Sequence, residues 1–557
     1  MRRWEAEFAA DLSLVRPELS AAYVAALPDA RAAVLGRLWR SLLYEPLPGL
    51  LDPRGQPRAA PADDRPLATA DTRGQGSIPP LATTDTGGQV RVPPADGRPF
   101  ATVDARGQSR VALADGRVLI GRAREPYDLG GEPALWLDGH PHTHPAELLA
   151  TLGLPGTAGL VEDLDNSVAS LALSRAEPAR VPATPEEYEQ SVVDGHPYHP
   201  GCRSRPGVSV AEQLAYMPEH RPVVHLDLLA LPAADCLVSG PWPAALTAGD
   251  RLLLPVHPWQ SAHVLPALGL RPHVTGAVPA RPLMSVRTLA PLDGGPHVKT
   301  AFSTRMTSGV RDISPGSVRD CVHLSDLLST LSARLGGRPG GRLGIARYLA
   351  GAAGKVNGEH SADVSAMLRE PTGNAIPVGA VTRATVQDPA AWLAAFARLV
   401  WRDLLGLLAL GVALEAHGQN LLVELDRDGL PRRLVYRDLA DVRISPARLA
   451  GHGIEAPPVS ARLLTDDPGA LHAKLFGGLV GTTFGSLIAL FGEGDRAAES
   501  RLWDVVATAA RSAEFPCAED RRALFGPHLT VKAHLLARLE GAPPGDSWTR
   551  LPNPLAV

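Results

Sequence analysis

The feature that most restricts the fold is a change of pattern along the chain. Across residues 223–314, short β-rich runs such as Arg251-Leu-Leu-Leu-Pro-Val256 and His297-Val-Lys-Thr-Ala-Phe302 alternate with Pro and Gly turns, as an antiparallel sheet requires. Beyond it the pattern turns helical. Asp388-Pro389 sets an N-cap before a proline at the first helical position, and Trp392, Phe396, Leu399 and Val400 mark one apolar face. This helix is expected to run to about Leu414 and to deliver Glu415 and His417 at its C-terminal end. Residues 420–425 and 433–436 flank Asp426-Arg-Asp-Gly429, a hairpin turn that should bring His417, Gln419 and Asp438 near one another. The remainder to Leu539 reads as amphipathic helices, so the fold class is α+β.

At the N-terminus, Leu35, Leu38, Leu42 and Leu43 recur at helical spacing within residues 32–44. The composition then changes. Residues 51–117 repeat imperfectly as Pro66-Leu-Ala-Thr-Ala-Asp-Thr-Arg-Gly-Gln75, Pro80-Leu-Ala-Thr-Thr-Asp-Thr-Gly-Gly-Gln89 and Pro99-Phe-Ala-Thr-Val-Asp-Ala-Arg-Gly-Gln108, spaced 14 and then 19 residues apart. A solenoid needs a fixed period, and this tract has too few apolar side chains to offset its ordering entropy. It reads as a disordered insertion, with a decorated β-hairpin as the alternative, and ordered sequence resumes near Val118. At 557 residues the chain should divide into two or three domains.

A net charge of −4 lacks the basic excess of a general nucleic-acid binder, so any anion site must be local. Cys202, Cys236, Cys321 and Cys517 are too scattered for a zinc site or a disulfide scaffold, which fits a reducing cytoplasm. The run 404–414 falls short of the roughly 20 apolar residues that span a bilayer, and the first residues have no apolar signal core. A soluble cytoplasmic protein, with no nucleic-acid or membrane partner, is expected.

Two clusters carry the chemistry. Ser285-Val-Arg287-Thr288, Lys299, Thr307 and Arg311 set hydroxyls and cations along what read as strands, which suits a polyanion. Glu415-Ala-His417-Gly-Gln419-Asn420 and Tyr436-Arg437-Asp438 add carboxylates, an imidazole and amides, and together they suggest nucleotide chemistry with a metal. Alternatives stand beside this: strand cations often form surface ion pairs, and Glu415, His417 and Asn420 could simply cap a helix. His257-Pro-Trp259-Gln260 reads as structural, with Trp259 beneath the sheet and Gln260 on backbone. In Gly139-His-Pro-His-Thr-His-Pro145 the prolines restrict how the imidazoles could converge on a metal.

Several of these segments in order resemble the NRPS-independent siderophore synthetases of the IucA/IucC, or aerobactin synthetase, family. They are Gly195-His-Pro-Tyr-His-Pro-Gly-Cys-Arg-Ser-Arg205, Pro255-Val-His-Pro-Trp-Gln260, Ser285 to Thr288, Lys299 to Arg311, and Glu415 to Asn420 with Tyr436 to Asp438. Leu38-Trp-Arg-Ser-Leu-Leu-Tyr-Glu45 and Val531-Lys-Ala-His-Leu-Leu-Ala-Arg538 extend the likeness to both ends. The resemblance implies a cupped hand: a thumb over 1–165, β-rich antiparallel fingers over 166–385 and a mainly helical palm over 386–557. It implies an enzyme that uses ATP to turn a carboxylic acid, citrate or a citrate derivative first, into an acyl-adenylate. An amine or hydroxyl nucleophile then gives an amide or ester and releases AMP, and a homodimer is the implied assembly.

On that resemblance Ser285, Arg287, Thr288, Lys299 and His417 are assigned to ATP. His196, His199, Arg203, Thr307, Arg311 and Gln419 go to the acid, and Glu415 and Asp438 to Mg2+. Arg311, His417 and Lys299 would act at the reacting centre by offsetting charge on the transferring phosphoryl group. Arg203 stands where the family pattern has lysine, and Ser167 resembles a pocket-lining serine. Two rival classes share this inventory, an ATP-dependent phosphotransferase and a non-catalytic citrate or siderophore binder. No Gly-rich phosphate loop or kinase motif set supports the first, and retention of the charged groups argues against the second.

Overall fold

A computed structural model describes residues 1–58, 100–336, 343–541 and 547–556. The leucines of the N-terminal run lie on helix Ser20–Tyr44, and Leu35, Leu38, Leu42 and Leu43 are fully buried. This helix packs on helix Ala158–Ala176, so the boundary expected at 165/166 falls inside a helix. Between them stands a five-stranded antiparallel meander, Thr102–Val103, Gln108–Ala112, Val118–Arg122, Leu135–Leu137 and His140–His142.

The insertion therefore begins later and ends earlier than its composition suggests. The third repeat contributes to a hairpin, with Thr102 paired to Arg110 and Val103 to Ser109 around Gly107 at φ 73°. Leu50 bridges Leu113. Arg58, buried, donates to the carbonyls of Leu51 (2.9 Å), Leu42 (2.5 Å) and Phe100. Backbone pairing to neighbours outside the repeat supplies what its side chains lack. The first two repeats lie outside the described residues.

The central sheet has nine antiparallel strands, in the order Cys236–Ser239, Tyr348–Val356, Glu359–Arg369, His297–Thr300, Thr288–Pro291, Val274–Pro282, Val224–Pro232, Arg251–Val256 and Thr247–Ala248. It extends past residue 314, where the recognised strand runs ended, to Arg369, within the β-rich region expected over 166–385. Tyr348–Val356 escaped notice because its Ala- and Gly-rich sequence has weak strand propensity. Those small residues are required: a Cβ on Gly351 would sit 3.2 Å from both Cys321 and Val318 of helix Pro315–Gly336. Leu289, Val298, Leu368, Ala280 and Leu226 share one apolar cluster on one face. The register pairs Thr288 with Lys299 and Leu289 with Val298, so alternation sends Lys299 to the opposite face.

Asp388 caps helix Pro389–Leu410 by accepting from Ala390 N (2.9 Å) and Ala391 N (3.0 Å), and Trp392, Phe396, Leu399 and Val400 are buried. The helix stops at Gly411, φ 107°, rather than near Leu414. Val412–Ala413 then pairs with Arg443–Ile444, so Glu415 and His417 stand on the loop after a short strand. Leu421–Leu425 and Pro431–Tyr436 form the predicted hairpin about Asp426 to Gly429. Helical residues Pro468–Gly492 are long and apolar enough to cross a membrane, but 72% of their most apolar 18 residues are buried inside the fold. Its π-helical segment Leu479–Phe484 lets Thr483 donate to the Ala416 carbonyl (2.8 Å) beside the functional loop.

The chain closes on itself. Strand His528–Lys532 pairs with Trp548–Pro552, Thr549 Oγ1 donates to Tyr44 O (2.5 Å), and Tyr127 OH to Pro552 O (2.8 Å). The largest apolar cluster accordingly includes both Phe8 and Leu555, and the N- and C-terminal regions share a core.

Candidate active site

A cleft of about 770 Å³ lies between the face of the nine-stranded sheet that carries Lys299 and the helical C-terminal half. It gathers Ser285, Arg287, Lys299, Thr307, Arg311, Glu415, His417, Gln419, Asp438, His196, His199 and Arg203. Of the residues assigned from sequence only Thr288 does not line it.

The sheet contributes turns as much as strands. Ser285, Val286 and Arg287 form the tight connection between Val274–Pro282 and Thr288–Pro291, closed by Val286 N to Leu283 O and Arg287 N to Ser285 O, both 2.8 Å. Val286 has φ 67°, a costly conformation for a β-branched residue, and it turns Ser285 and Arg287 toward the cleft. The expectation of a continuous strand there is corrected by that turn. Thr307 likewise sits at φ 57° in the turn between Phe302–Met306 and Gly309–Arg311, its N–H bonded to Ser204 O (3.1 Å). Arg311 spends one hydrogen bond on Met306 O (2.9 Å). Burial, then neighbouring Arg287, pulls its guanidinium down to about 10, still charged at neutral pH.

Lys299 is buried. Its Nζ donates to Asp438 Oδ1 (2.7 Å) and to Tyr348 OH (3.0 Å). Burial pulls it down to about 8, against the opposing pull of Asp438. Burial pushes the Asp438 carboxyl up, but Lys299 and then Arg369 hold it well below the usual carboxylate range. Contacts from Lys299, Tyr348 (2.7 Å) and Arg369 (3.6 Å) all converge on Oδ1, and Asp438 itself stands at φ 62°.

Glu415 is held in the same way. Lys532 and Lys474 (3.4 Å) meet its Oε1, and Oε2 lies 3.7 Å from His417 Nε2. These lysines overcome burial and hold the carboxyl well below its ordinary value. His417 Nδ1 accepts from Gln419 N (3.3 Å), so a neutral ring carries its proton on Nε2. Among the described residues no group of three or more His, Cys, Asp or Glu is placed to hold a metal ion.

The loop 196–205 repeats one device. In His196-Pro-Tyr198 and His199-Pro-Gly201, as in His257-Pro-Trp259, a histidine Nδ1 accepts the N–H two residues on, at 3.2, 2.9 and 3.1 Å. Proline between them has no N–H to compete. Arg203 is not free for a ligand: Nε and Nη2 donate to the carbonyls of Val193 (2.7 Å) and Val192, and Glu219 is 3.7 Å away. Its assignment to the acid is corrected to a tether for the loop 191–195. Helix Ala158–Ala176 fixes this loop from behind with a buried polar stripe. Ser167 Oγ accepts from Arg203 N (3.1 Å), Asn166 from Arg205 N (2.7 Å), and Asp163 pairs with Arg305 (2.9 Å) and Arg538. Ser167 thus positions the pocket without lining it. Trp259 stacks on Phe302 at 4.6 Å, and Gln260 donates to Asp363 O (3.0 Å).

Lys474, Lys532, His534, Arg538, Tyr348 and Arg369 were not singled out from sequence as site residues. The only signal was the motif Val531 to Arg538, quoted without roles. Its position is set by Glu45, buried, whose Oε2 accepts from Leu535 N (2.9 Å) and Leu536 N (2.8 Å).

The IucA / IucC family matches residues 184–388, and the family described as ferric iron reductase FhuF-like transporter matches residues 390–546. The L-2,3-diaminopropanoate–citrate ligase of Staphylococcus aureus is 30% identical over 183 residues, a match spanning 30% of each protein. Petrobactin biosynthesis protein AsbB of Bacillus anthracis superposes with a TM-score of 0.71 at 17% identity, over 100% of this chain and 98% of that one. ATP-bound aerobactin synthetase IucA of a hypervirulent pathotype of Klebsiella pneumoniae gives 0.64 at 21% identity, over 81% of this chain and 95% of that one. The structural likenesses establish a shared mixed fold of helices and antiparallel sheet. The motifs of residues 195–311 lie inside the matched region and those of 415–438 across the same cleft, so the chain is similar to the IucA/IucC family over residues 184–388.

Proposed function

We propose that this protein is an ATP-dependent synthetase of siderophore biosynthesis that adenylates a carboxylic acid, citrate or a citrate derivative, and condenses it with an amine or hydroxyl nucleophile. The observation that carries this reading is the convergence of Arg287 and Lys299 from the nine-stranded sheet and Arg311 from the adjoining two-stranded hairpin with His417, Glu415 and Asp438 from the helical half in one cleft. In the first half-reaction a carboxylate oxygen bonds to the α-phosphorus as the bond to pyrophosphate breaks. Anionic acid and polyanionic nucleotide repel, so preorganised cations are the main catalytic need. Ser285, Arg287 and Lys299 serve the phosphates, and Arg311 grips the acid with Thr307 and Gln419 alongside. His417 Nε2–H donates to a phosphate oxygen at the reacting centre. In the second half-reaction the nucleophile bonds to the acyl carbon, AMP leaves and the nucleophile's proton is released.

Mg2+ would enter with the nucleotide and shield its phosphate charge, bound through one or two carboxylates plus phosphate oxygens. Asp438 and Glu415 are the carboxylates lining the cleft that would hold it, their protein cations meeting Oδ1 and Oε1. In the cupped-hand reading the sheet forms the fingers and the helical half the palm, and the enzyme works as a cytoplasmic homodimer. A panel of acids with ATP and hydroxylamine tests the chemistry: acid-dependent hydroxamate and AMP are expected. ADP as sole nucleotide product would establish a phosphotransferase instead, and acid binding without turnover a binder.

A further inference from the structure

One group in the cleft has no part in the scheme above. The ring of His534 lies 4.6 Å from that of His196 and 5.1 Å from that of His199, forming an imidazole wall. We propose that His534 is a specificity-determining residue of the acid pocket, accepting a hydrogen bond from a hydroxyl or amide donor on the non-reacting part of the acid. The inference rests on the reading of this cleft as an acid-binding site.

The argument is one of donors and acceptors. His196 and His199 each use Nδ1 to accept a backbone N–H, from Tyr198 and Gly201, so their neutral rings offer only an Nε2–H donor. The charged groups that act on this wall, Arg311, Arg538, Arg37 and Arg40 with Lys532, are donors too. A carboxylate is satisfied by donors alone. An alcohol or amide also needs an acceptor, and of the three imidazoles only His534 has both nitrogens without a protein hydrogen bond among the described residues while lining the cleft. Burial, then the two neighbouring imidazoles, holds His534 well below the ordinary histidine range, so it keeps its acceptor at neutral pH. The same depression makes it a poor general base, which favours recognition over proton transfer.

The test uses acids that differ only by a hydroxyl: citrate against tricarballylate, and malate against succinate. Binding to the full-length protein is measured by calorimetry, and adenylation by hydroxylamine trapping. The wild type should favour the hydroxylated member about tenfold or more, as expected when a built acceptor loses its donor. His534→Leu should bring the ratio to within about twofold while tricarballylate binding changes little, and His534→Gln, whose amide oxygen accepts, should retain most of it. Equal loss of both acids in a well-folded His534→Leu protein, an unchanged ratio, or no preference in the wild type each overturns the assignment. Should the binding ratios follow this pattern while no AMP forms, the adenylation reading fails and the role of His534 stands.

Discussion

The two walls of the cleft are built in opposite ways. The sheet wall takes Ser285, Arg287 and Lys299 from adjacent strands and a turn of the nine-stranded sheet and Thr307 and Arg311 from the separate two-stranded hairpin that follows, and it presents mostly positive charge. The helical wall takes Glu415, Asp438, Lys474, Lys532 and His534 from separate elements, and lysines already neutralise its carboxylates, Lys474 and Lys532 at Glu415 and Lys299 of the sheet wall at Asp438. Local hydrogen-bonded ladders can aim a row of cations, whereas balancing buried charges needs long-range partners. The sheet wall thus suits anion capture, and the opposing wall sets the local field.

If the sheet wall does the capturing, its largest lever is Arg311. Arg311→Ala should reduce acid-dependent AMP formation by about 10²-fold or more, since one preorganised charge-stabilising donor is commonly worth about 3–4 kcal/mol in the transition state. Arg311→Lys should rescue poorly, because a point charge lacks the two parallel hydrogen bonds a guanidinium gives a carboxylate. Near-normal turnover by a folded Arg311→Ala protein would place the acid elsewhere.

The other wall is probed through Glu45, which joins helix Ser20–Tyr44 to the turn that carries His534. Burial pushes its carboxyl up from 4.5 to about 7, beyond what its N–H donors, Ser41 and Arg40 can offset. Between those values the native protein keeps a proton that the unfolded chain has released. Stability therefore falls as pH rises from about 4.5 to 7, and the loss is complete above 7. Glu45→Gln removes that titration and should gain about 2 kcal/mol relative to wild type between pH 5 and 8, read by denaturant melts at each pH. A constant difference across that range would show that Glu45 does not titrate there.

Coupling between the walls runs through Lys299 and Asp438. Because Lys299 is pulled down to about 8, activity that needs its ammonium should decline above that pH. Asp438→Asn removes the carboxylate that opposes burial, so the decline should begin at lower pH and cost about fivefold at pH 8, the effect of roughly one pKa unit. A pH profile that keeps its shape in Asp438→Asn would separate the lysine from this role.

The difference between the walls also explains what the sequence revealed. Lys299, Arg311 and Thr307 were legible because strand alternation and tight turns act over a few residues, and Asp388-Pro389 announced its helix for the same reason. The strand Tyr348–Val356 was not, because glycine and alanine that permit close packing on helix Pro315–Gly336 also erase β character. The pairing of Lys532 with Glu415 and of His534 with His196 joins residues far apart in the chain, which no local pattern encodes. Arg203 misled in a different way: its type suited a carboxylate, but two loop carbonyls satisfy it.

Thr288 gives the finest test of where the sheet wall ends. The register places it beside Lys299, which made it a natural phosphate ligand, yet it is fully buried and its Oγ1 has no hydrogen-bond partner. An unsatisfied buried hydroxyl costs stability, so replacing it by a methyl of similar volume is favourable at this position. Thr288→Val should therefore leave ATP-dependent turnover within about twofold and raise stability by up to about 1 kcal/mol. A tenfold or greater rise in the KM for ATP with an intact fold would show instead that the nucleotide reaches this hydroxyl, and that the wall extends one residue deeper than the cleft of the free protein.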